Sequence, residues 1–216
     1  MINDTWKHKG MRKQLVDTIR QKGITNENVL TAINTIPRHL FMDSSFLEFA
    51  YEDNPFPIGS GQTISQPYTV AFQTELLEVK KGDKILEVGT GSGYQACVLI
   101  ELGAKVYTIE RQKALYLKTK KLFSFLGYKP KMAIYGDGYK GMVMEAPFDK
   151  VIVTAGAQKV PEELIRQLKP GGFLVIPVGD EVQTMKRIIK IDEQNIKEED
   201  HGMFRFVPLL NDKAND

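Results

Sequence analysis

The chain has little sulfur, little histidine and no marked excess of charge. Its 216 residues include one cysteine and three histidines, and Lys plus Arg (29) exceed Asp plus Glu (27) by two. Cys97 alone excludes an internal disulfide, and the balanced charge favours neither a nucleic-acid partner nor an anionic membrane surface. No acid-rich cluster indicates a magnesium site, so we expect no metal.

Long hydrophobic runs are also missing. No apolar segment approaches the roughly 20 residues that a membrane-spanning helix needs, and residues 1–10 are polar, without the hydrophobic core of a signal peptide. We therefore expect a cytoplasmic protein with no membrane partner. The length and the ordinary hydrophobic content of 42% fit one domain over residues 1–216, with no repeat and no linker.

The pattern of the first fifty residues predicts helices and indicates no catalytic group. A first helix is predicted up to Gly23, a second between Asn26 and Pro37, and a short third from Ser44 to Ala50. We expect this helical extension to pack outside a sheet or to cover its open edge.

From Lys84 onward, apolar strands alternate with helices, which predicts a mostly parallel sheet with helices on both faces. The predicted strands are 84–88, 105–110, 131–135, 149–154, 172–177, 185–192 and 203–209. The predicted helices are 93–102, 111–126 and 160–169. The charged segment 192–202 is interpreted as a loop, so the last strand is expected to be antiparallel. The fold class is a doubly wound, Rossmann-like α/β sheet of about seven strands, with its core over residues 84–210.

The first of these strands ends in the glycine-rich turn Glu87-Val88-Gly89-Thr90-Gly91-Ser92-Gly93. Alternate glycines let backbone N–H groups approach a ligand, and the helix that follows adds the positive end of its dipole. Glu87 would repel a pyrophosphate and attract a ligand ammonium, which favours S-adenosylmethionine. A nicotinamide dinucleotide stays open on spacing alone, because Gly91-x-Gly93-x-x-Ala96 satisfies its fingerprint.

Acids also follow the next two strands. Glu110 is placed to accept both hydroxyls of a ribose, although an acid at a helix N-terminus is an alternative interpretation. Asp137, between Gly136 and Gly138, is placed to accept from an adenine amino group, with an ordinary Asp-Gly turn as its alternative. Because ligands bind beyond the carboxyl ends of parallel strands, these acids predict a cavity for adenosine and an ammonium.

The segment 51–67 differs from its surroundings, since prolines, glycines, hydroxyls and amides precede a helix that starts at Pro67. Ser65 is predicted to cap that helix, to receive a substrate carboxylate, or to do both.

Segments 57–67 (PIGSGQTISQP) and 87–94 (EVGTGSGY) resemble the protein-L-isoaspartate O-methyltransferase family. The likeness covers nearly the whole chain and continues through Gly136-Asp137-Gly138, Ala146-Pro147-Phe148-Asp149, Pro177-Val178-Gly179 and Phe206-Val207-Pro208-Leu209. Tyr68 stands where many members of the family have histidine, so the role of this side chain is open.

The resemblance implies methyl transfer from S-adenosylmethionine to the α-carboxylate of L-isoaspartyl residues in damaged proteins and peptides. S-adenosylhomocysteine is the implied second product, and the ester closes to a succinimide. Ser65 is the implied catalytic residue. The implied cofactor contacts are Ile64, Gln66, Glu87, Gly89, Thr90, Gly91, Gly93, Glu110, Asp137, Gly138 and Gln183. The implied substrate contacts are Asp53, Ser60, Pro177, Val178 and Gly179.

Two other functions remain open. A small-molecule carboxyl or hydroxyl O-methyltransferase would have a closed pocket instead of an open groove. A non-catalytic S-adenosylmethionine-binding protein would keep the cofactor pocket and lose the substrate groups, and the intact segment 60–67 argues against it. The same segment argues against the nicotinamide dinucleotide. We expect a monomer.

Overall fold

A computed structural model of the protein describes residues 4–214. Its first fifty residues form two α-helices, α1 (Trp6–Gln21) and α2 (Glu27–Thr35), and two 3-10 helices, Arg38–Phe41 and Ser44–Phe49. The helical extension is therefore confirmed, with a 3-10 helix as its third member. Over residues 4–214, no helix combines the length and the apolar character that crossing a bilayer demands.

A small hairpin and a helix connect this extension to the sheet. The hairpin consists of β1 (Phe56–Gly59) and β2 (Gln62–Ile64), and α3 (Pro67–Leu76) follows it. The segment 51–67, which we interpreted as a loop, thus contains two short antiparallel strands. The sequence did not indicate these strands because only Ile58 and Ile64 among their seven residues are buried, so the segment is mostly polar.

Seven strands form the main sheet. They are β3 (Lys84–Val88), β4 (Lys105–Glu110), β5 (Met132–Tyr135), β6 (Phe148–Val153), β7 (Leu168–Val178), β8 (Gln183–Lys190) and β9 (Ile196–Phe204). The helices between them are α4 (Tyr94–Glu101), α5 (Lys113–Leu126) and α6 (Glu162–Arg166), with 3-10 helices at Gly138–Lys140 and Val143–Glu145. The spatial order is β5-β4-β3-β6-β7-β8-β9. The pairs from β5 to β7 are parallel, and β8 runs antiparallel to both of its neighbours. The predicted fold class is confirmed.

The strand β3 lies at the centre of the sheet, and its two faces pack into different halves of the core. Ile85 belongs to the cluster built with α1 to α4, whereas Leu86 and Val88 belong to the cluster on the side of α6. Successive side chains of a strand point to opposite faces. The side chain of Glu87 therefore shares the face of Ile85 and points under α4.

The position of the last strand was predicted wrongly, whereas the strand before it, predicted at 185–192, matches β8 to within two residues at each end. The segment 192–202, predicted as a loop, contains most of β9. The turn between β8 and β9 is short, and in it Asp192 accepts hydrogen bonds from the N–H groups of Gln194 (2.8 Å) and Asn195 (2.9 Å). The charges of β9 are compatible with a strand because they pair across the ladder: Lys186 contacts Glu198 at 3.2 Å and Asp200 at 3.0 Å.

Candidate active site

The strand order reverses between β3 and its neighbours β4 and β6, and a cavity lies beyond the carboxyl ends of these strands. We call it the inner cavity. Its walls are the hairpin end (Gln62, Thr63, Ile64, Ser65), the glycine turn with the start of α4 (Gly89, Thr90, Gly91, Ser92, Tyr94, Gln95), the strand ends (Val88, Ile109, Glu110, Arg111, Gly138, Thr154, Ala155) and Val207, Pro208, Leu209 and Leu210, with Val70 of α3. A parallel sheet binds its ligand at such a reversal of strand order.

A second, open cavity of about 710 Å³ adjoins the first. We call it the outer groove. It is lined by Lys22, Pro55, Thr63, Ser65, Gln66, Tyr68, Thr69, Thr154, Val182, Met203, Phe204, Arg205, Phe206 and Val207. Four residues line both cavities: Thr63, Ser65, Thr154 and Val207. These four mark the place where a group bound in one cavity meets a group bound in the other.

The glycine turn is held to the neighbouring strands by hydrogen bonds. The Thr154 hydroxyl donates to the Gly89 carbonyl (2.7 Å), and the Gly91 N–H donates to Glu110 Oε2 (2.7 Å). Gly89 has φ of 98°, and a Cβ there would lie 2.6 Å from Thr154 Oγ1. Glycine is therefore required at this position for both its conformation and the close approach of β6.

Glu110 lines the inner cavity and is 4% exposed. Besides Gly91, its carboxylate accepts from the Gln112 N–H (2.8 Å), which fixes the start of α5. Burial raises the pKa of Glu110, and the hydrogen bonds from backbone N–H groups oppose this shift. Each carboxylate oxygen has a further lone pair, so the group is able to accept from a ligand hydroxyl as well.

Glu87 does not line the inner cavity, which corrects our account of this residue as a direct ligand of an ammonium. Its side chain is fully buried and accepts from the Thr108 hydroxyl (2.5 Å). Burial raises the pKa of Glu87 to about 8, with the nearby Glu110 adding to the shift. The strand alternation explains the position, because residue 87 faces α4 while the ligand lies beyond the strand end.

Ser65 is not a helix cap. Gln66 is the N-cap of α3 and makes no capping bond, while Asp53 Oδ1 accepts from the Tyr68 N–H at 2.7 Å in the first turn. Asp53 thus takes the capping role that we considered for Ser65. The half-buried Ser65 hydroxyl makes no hydrogen bond to any residue in the described range 4–214, and it lies where the two cavities join.

Asp4, His8 and His39 form a group outside both cavities, with potential metal-binding atoms within 4.8 Å of one another. Arg12 donates to both carboxylate oxygens of Asp4 (3.1 and 3.0 Å), and His8 Nδ1 accepts from the Thr5 N–H (3.3 Å). A guanidinium at the carboxylate opposes a second cation there, so this arrangement is a polar network.

Comparison with known proteins agrees with this site. A family model described as "Protein-L-isoaspartate(D-aspartate) O-methyltransferase (PCMT)" matches residues 10–214. The chain belongs to this family. Protein-L-isoaspartate O-methyltransferases of Christiangramia forsetii and Flavobacterium psychrophilum are 63% and 60% identical to it over 212 residues, which cover 98% of this chain and 100% of each relative.

Two solved structures of the protein-L-isoaspartate O-methyltransferase family share the fold. One superposes with a TM-score of 0.84 at 27% identity, covering 94% of this chain and 67% of the other. The second, a putative member of the family from Plasmodium falciparum in complex with S-adenosyl-L-homocysteine, gives 0.80 at 26% identity, covering 92% and 98%. The chain is thus an S-adenosylmethionine-dependent methyltransferase, and the nicotinamide alternative is excluded.

The lining of the inner cavity contains six of the residues that we predicted as cofactor contacts. They are Ile64, Gly89, Thr90, Gly91, Glu110 and Gly138. A Cβ at Gly138 would lie 2.4 Å from Val88 Cγ1, so the chain passes close to β3. Asp137 stands just behind, where its carboxylate accepts from the Tyr139 N–H (3.0 Å). Gly93, the residue before α4, has a left-handed conformation (φ 85°) and lies between the lining residues Ser92 and Tyr94.

Besides Glu87, two more predicted cofactor contacts lie away from the inner cavity. Gln66 lines the outer groove instead, and its amide donates to the carbonyl of Asp53 (2.9 Å). Gln183 is 2% exposed and lines neither cavity, because its Oε1 accepts from the Phe206 N–H (2.8 Å). The role of Gln183 is to hold the segment that forms a wall of both cavities.

The predicted substrate contacts also lie outside the lining of the outer groove. Asp53 is behind it, where it caps α3 and contacts Lys22, and Ser60 is at the tip of the hairpin with φ of 50°. Residues 177–179 end β7, where the Gly179 N–H donates to the Ala157 carbonyl (2.9 Å). Their role as substrate contacts stays a prediction.

Several lining residues were not predicted, above all the C-terminal segment 205–210. This segment follows β9 and crosses the end of the sheet. Two hydrogen bonds hold it there: the Gly156 N–H donates to the Val207 carbonyl (2.8 Å), and the Leu209 N–H donates to the Gly156 carbonyl (2.7 Å). The motif Phe206-Val207-Pro208-Leu209 was the available signal, but we interpreted it as a strand. Arg111 also lines the inner cavity, with its guanidinium bonded to the carbonyls of Asp212 (3.0 Å) and Asn211 (3.3 Å).

Proposed function

We propose that this chain transfers a methyl group from S-adenosylmethionine to the α-carboxylate of L-isoaspartyl residues in damaged proteins and peptides. One observation carries the proposal. The Ser65 hydroxyl, with no hydrogen bond to residues 4–214, lies where the inner cavity, beside the glycine turn, meets the outer groove, whose lining includes two cations and no acid. A substrate carboxylate entering from the groove therefore reaches a hydrogen-bond donor at the junction.

In this proposal, different residues in and beside the inner cavity bind different parts of the cofactor. We assign the ribose hydroxyls to Glu110, the adenine to the turn at Asp137 and Gly138, and the methionine part to the glycine turn from Gly89 to Gly93. When bound, S-adenosylmethionine supplies an electrophilic methyl group on a positively charged sulfur. Glu87 acts indirectly, by filling the space under the turn.

A carboxylate is already a nucleophile, so this site needs alignment more than a strong base. Ser65 donates a hydrogen bond to one carboxylate oxygen and leaves the other directed at the methyl group. Thr63, Thr154 and Val207 surround the junction and exclude water. Such alignment and exclusion supply on the order of 7–11 kcal/mol of the barrier in favourable cases.

The shape of the outer groove supports a peptide substrate over a small molecule. The cavity measures about 710 Å³ and opens to solvent beside Phe204, Arg205 and Phe206. A small-molecule methyltransferase would enclose its substrate to recognise it. An open groove accepts a chain that continues on both sides of the modified residue.

The proposal is tested with labelled S-adenosylmethionine and a matched pair of peptides, one containing isoaspartate and one containing aspartate. We expect base-labile label on the isoaspartyl peptide alone, because the ester forms on its α-carboxylate. Equal labelling of both peptides, or of neither, would contradict the substrate assignment. The Ser65→Ala variant serves as the control for transfer at this site.

A monomeric state and a cytoplasmic location are part of the same proposal. The single Cys97 is buried and makes no disulfide, which fits a reducing compartment. Light scattering at micromolar concentration is expected to give the 24.4 kDa mass of one chain, and a mass of twice that value would contradict the monomer.

A further inference from the structure

The outer groove has a one-sided distribution of charge. Its lining includes Lys22 and Arg205 and no aspartate or glutamate. The two cations come from different parts of the chain, since Lys22 follows α1 and Arg205 follows β9. A peptide that lies in the groove therefore meets positive charge and no negative charge from the lining side chains.

The two cations differ in how much of their charge is already neutralised. Lys22 Nζ contacts Asp53 Oδ2 at 2.5 Å and lies 5.6 Å from the centre of the Tyr68 ring. Arg205 is exposed and forms no ion pair with the carboxylates of residues 4–214. Arg205 is therefore the cation that is available to a substrate.

The backbone around Arg205 is fixed at the groove wall. On one side β9 ends at Phe204. On the other side, the Phe206 N–H donates to Gln183 Oε1 (2.8 Å) and the Val207 carbonyl accepts from the Gly156 N–H (2.8 Å). The guanidinium thus extends from an anchored segment, one residue away from two others that line the groove.

We propose that Arg205 is a specificity residue that selects damaged peptides with an acidic side chain next to the isoaspartyl residue. The inference rests on the proposed function, and it concerns a second carboxylate besides the one that is methylated. Arginine suits this task because its planar guanidinium binds a carboxylate through two parallel hydrogen bonds. Lys22 contributes less because Asp53 already neutralises it.

The test compares isoaspartyl peptides that differ only in one neighbouring residue, which is Glu, Gln or Lys, placed either before or after the isoaspartate. For the unmodified protein we expect kcat/KM to be about fivefold higher with Glu than with Gln on one side, the scale of a partly exposed ion pair. The preference should fall towards one at about 1 M salt, where the Debye length is only about 3 Å.

Two variants locate the effect. Arg205→Gln should bring the Glu-to-Gln ratio of kcat/KM to about one, and Arg205→Glu should favour the Lys peptide instead. Arg166→Gln is the matched control, since Arg166 lies on α6 with Glu162 and Glu163 as its ion-pair partners and should keep the original ratio.

Three results would overturn the inference. The first is equal kcat/KM for the Glu and Gln peptides with the unmodified protein. The second is an unchanged Glu-to-Gln ratio of kcat/KM in Arg205→Gln, with kcat/KM lowered equally for all peptides. That result would mean that Arg205 binds the methylated carboxylate or has only a structural role. The third is the same loss of preference in Arg166→Gln. Absence of methylation on every isoaspartyl peptide would instead refute the proposed function.

Discussion

Ser65 keeps its hydroxyl available because a different residue caps the helix that follows. Asp53 Oδ1 satisfies the Tyr68 N–H of α3 (2.7 Å), so the stability of α3 does not depend on Ser65. Because the Ser65 hydroxyl has no hydrogen-bond partner within residues 4–214, it is available to a substrate carboxylate.

Ser65→Ala should therefore reduce turnover of an isoaspartyl peptide by about tenfold to hundredfold, the scale of one hydrogen bond to a charged group. The free energy of unfolding should change by well under ~1 kcal/mol, which is the usual cost of a lost cap. The matched variant Asp53→Ala should show that cost of about 1 kcal/mol in urea unfolding. A stability loss of that size in Ser65→Ala would mean that Ser65 is structural.

For individual residues, the sequence predicted site positions that depend on the backbone and failed for positions that depend on the direction of a side chain. Gly89, Gly91 and Glu110 were located because turns and strand ends are readable from spacing. Glu87 was misplaced because the face on which a strand residue points depends on what packs there, and α4 covers residue 87. The contribution of Thr154 depends on the position of β6 beside β3, which a single sequence does not specify.

Between elements, the Thr154 hydroxyl connects the end of β6 to the glycine turn after β3. Thr154→Val keeps the shape and removes the donor to the Gly89 carbonyl, so we expect S-adenosylmethionine to bind about tenfold more weakly by calorimetry, the scale of one hydrogen bond. Thr154→Ser retains the hydroxyl and should bind within about twofold of the original protein, well inside the effect of one bond. Equal weakening in both variants would assign the effect to packing of the lost methyl group.

The sequence predicted the elements of the parallel core better than those at the C-terminus. The strands β3, β4 and β6 are mostly buried and rich in apolar residues, and such runs are recognisable without a structure. In β9 the side chains of Lys197, Glu198, Glu199 and Asp200 are mostly exposed, so no apolar alternation indicates a strand. The segment 205–210 carries apolar side chains that line the two cavities, and this run of apolar residues was mistaken for a strand.

Across the whole molecule, the stability should depend on pH through Glu87. Burial raises the pKa of this group from 4.5 to about 8, so between these values the folded protein retains a proton that the unfolded chain releases. The stabilising effect of the proton is fully present below about pH 4.5 and is lost as the pH rises through about 8. The free energy of unfolding should fall by up to about 1.4 kcal/mol per pH unit from this group.

Glu87→Gln lacks the titrating group, so it should not lose the stability that the original protein loses between pH 5 and pH 8. Relative to the original protein, the variant should therefore become more stable as the pH rises. Urea unfolding at four pH values measures this slope. The exposed Glu181→Gln is the control and should give a curve parallel to that of the original protein. Parallel curves for Glu87→Gln would contradict the raised pKa.

The charged strand β9 also affects how this enzyme meets its substrates. Within residues 4–214, β9 pairs with β8 alone, so it is the outer strand of the sheet. Outer strands offer unpaired N–H and C=O groups to any extended chain nearby, and age-damaged proteins with loosened segments are a ready source of such chains. The run from Lys197 to Asp200 makes strand addition costly, because each added chain would desolvate these charges. We therefore expect β9 to resist pairing with the extended chain of a substrate.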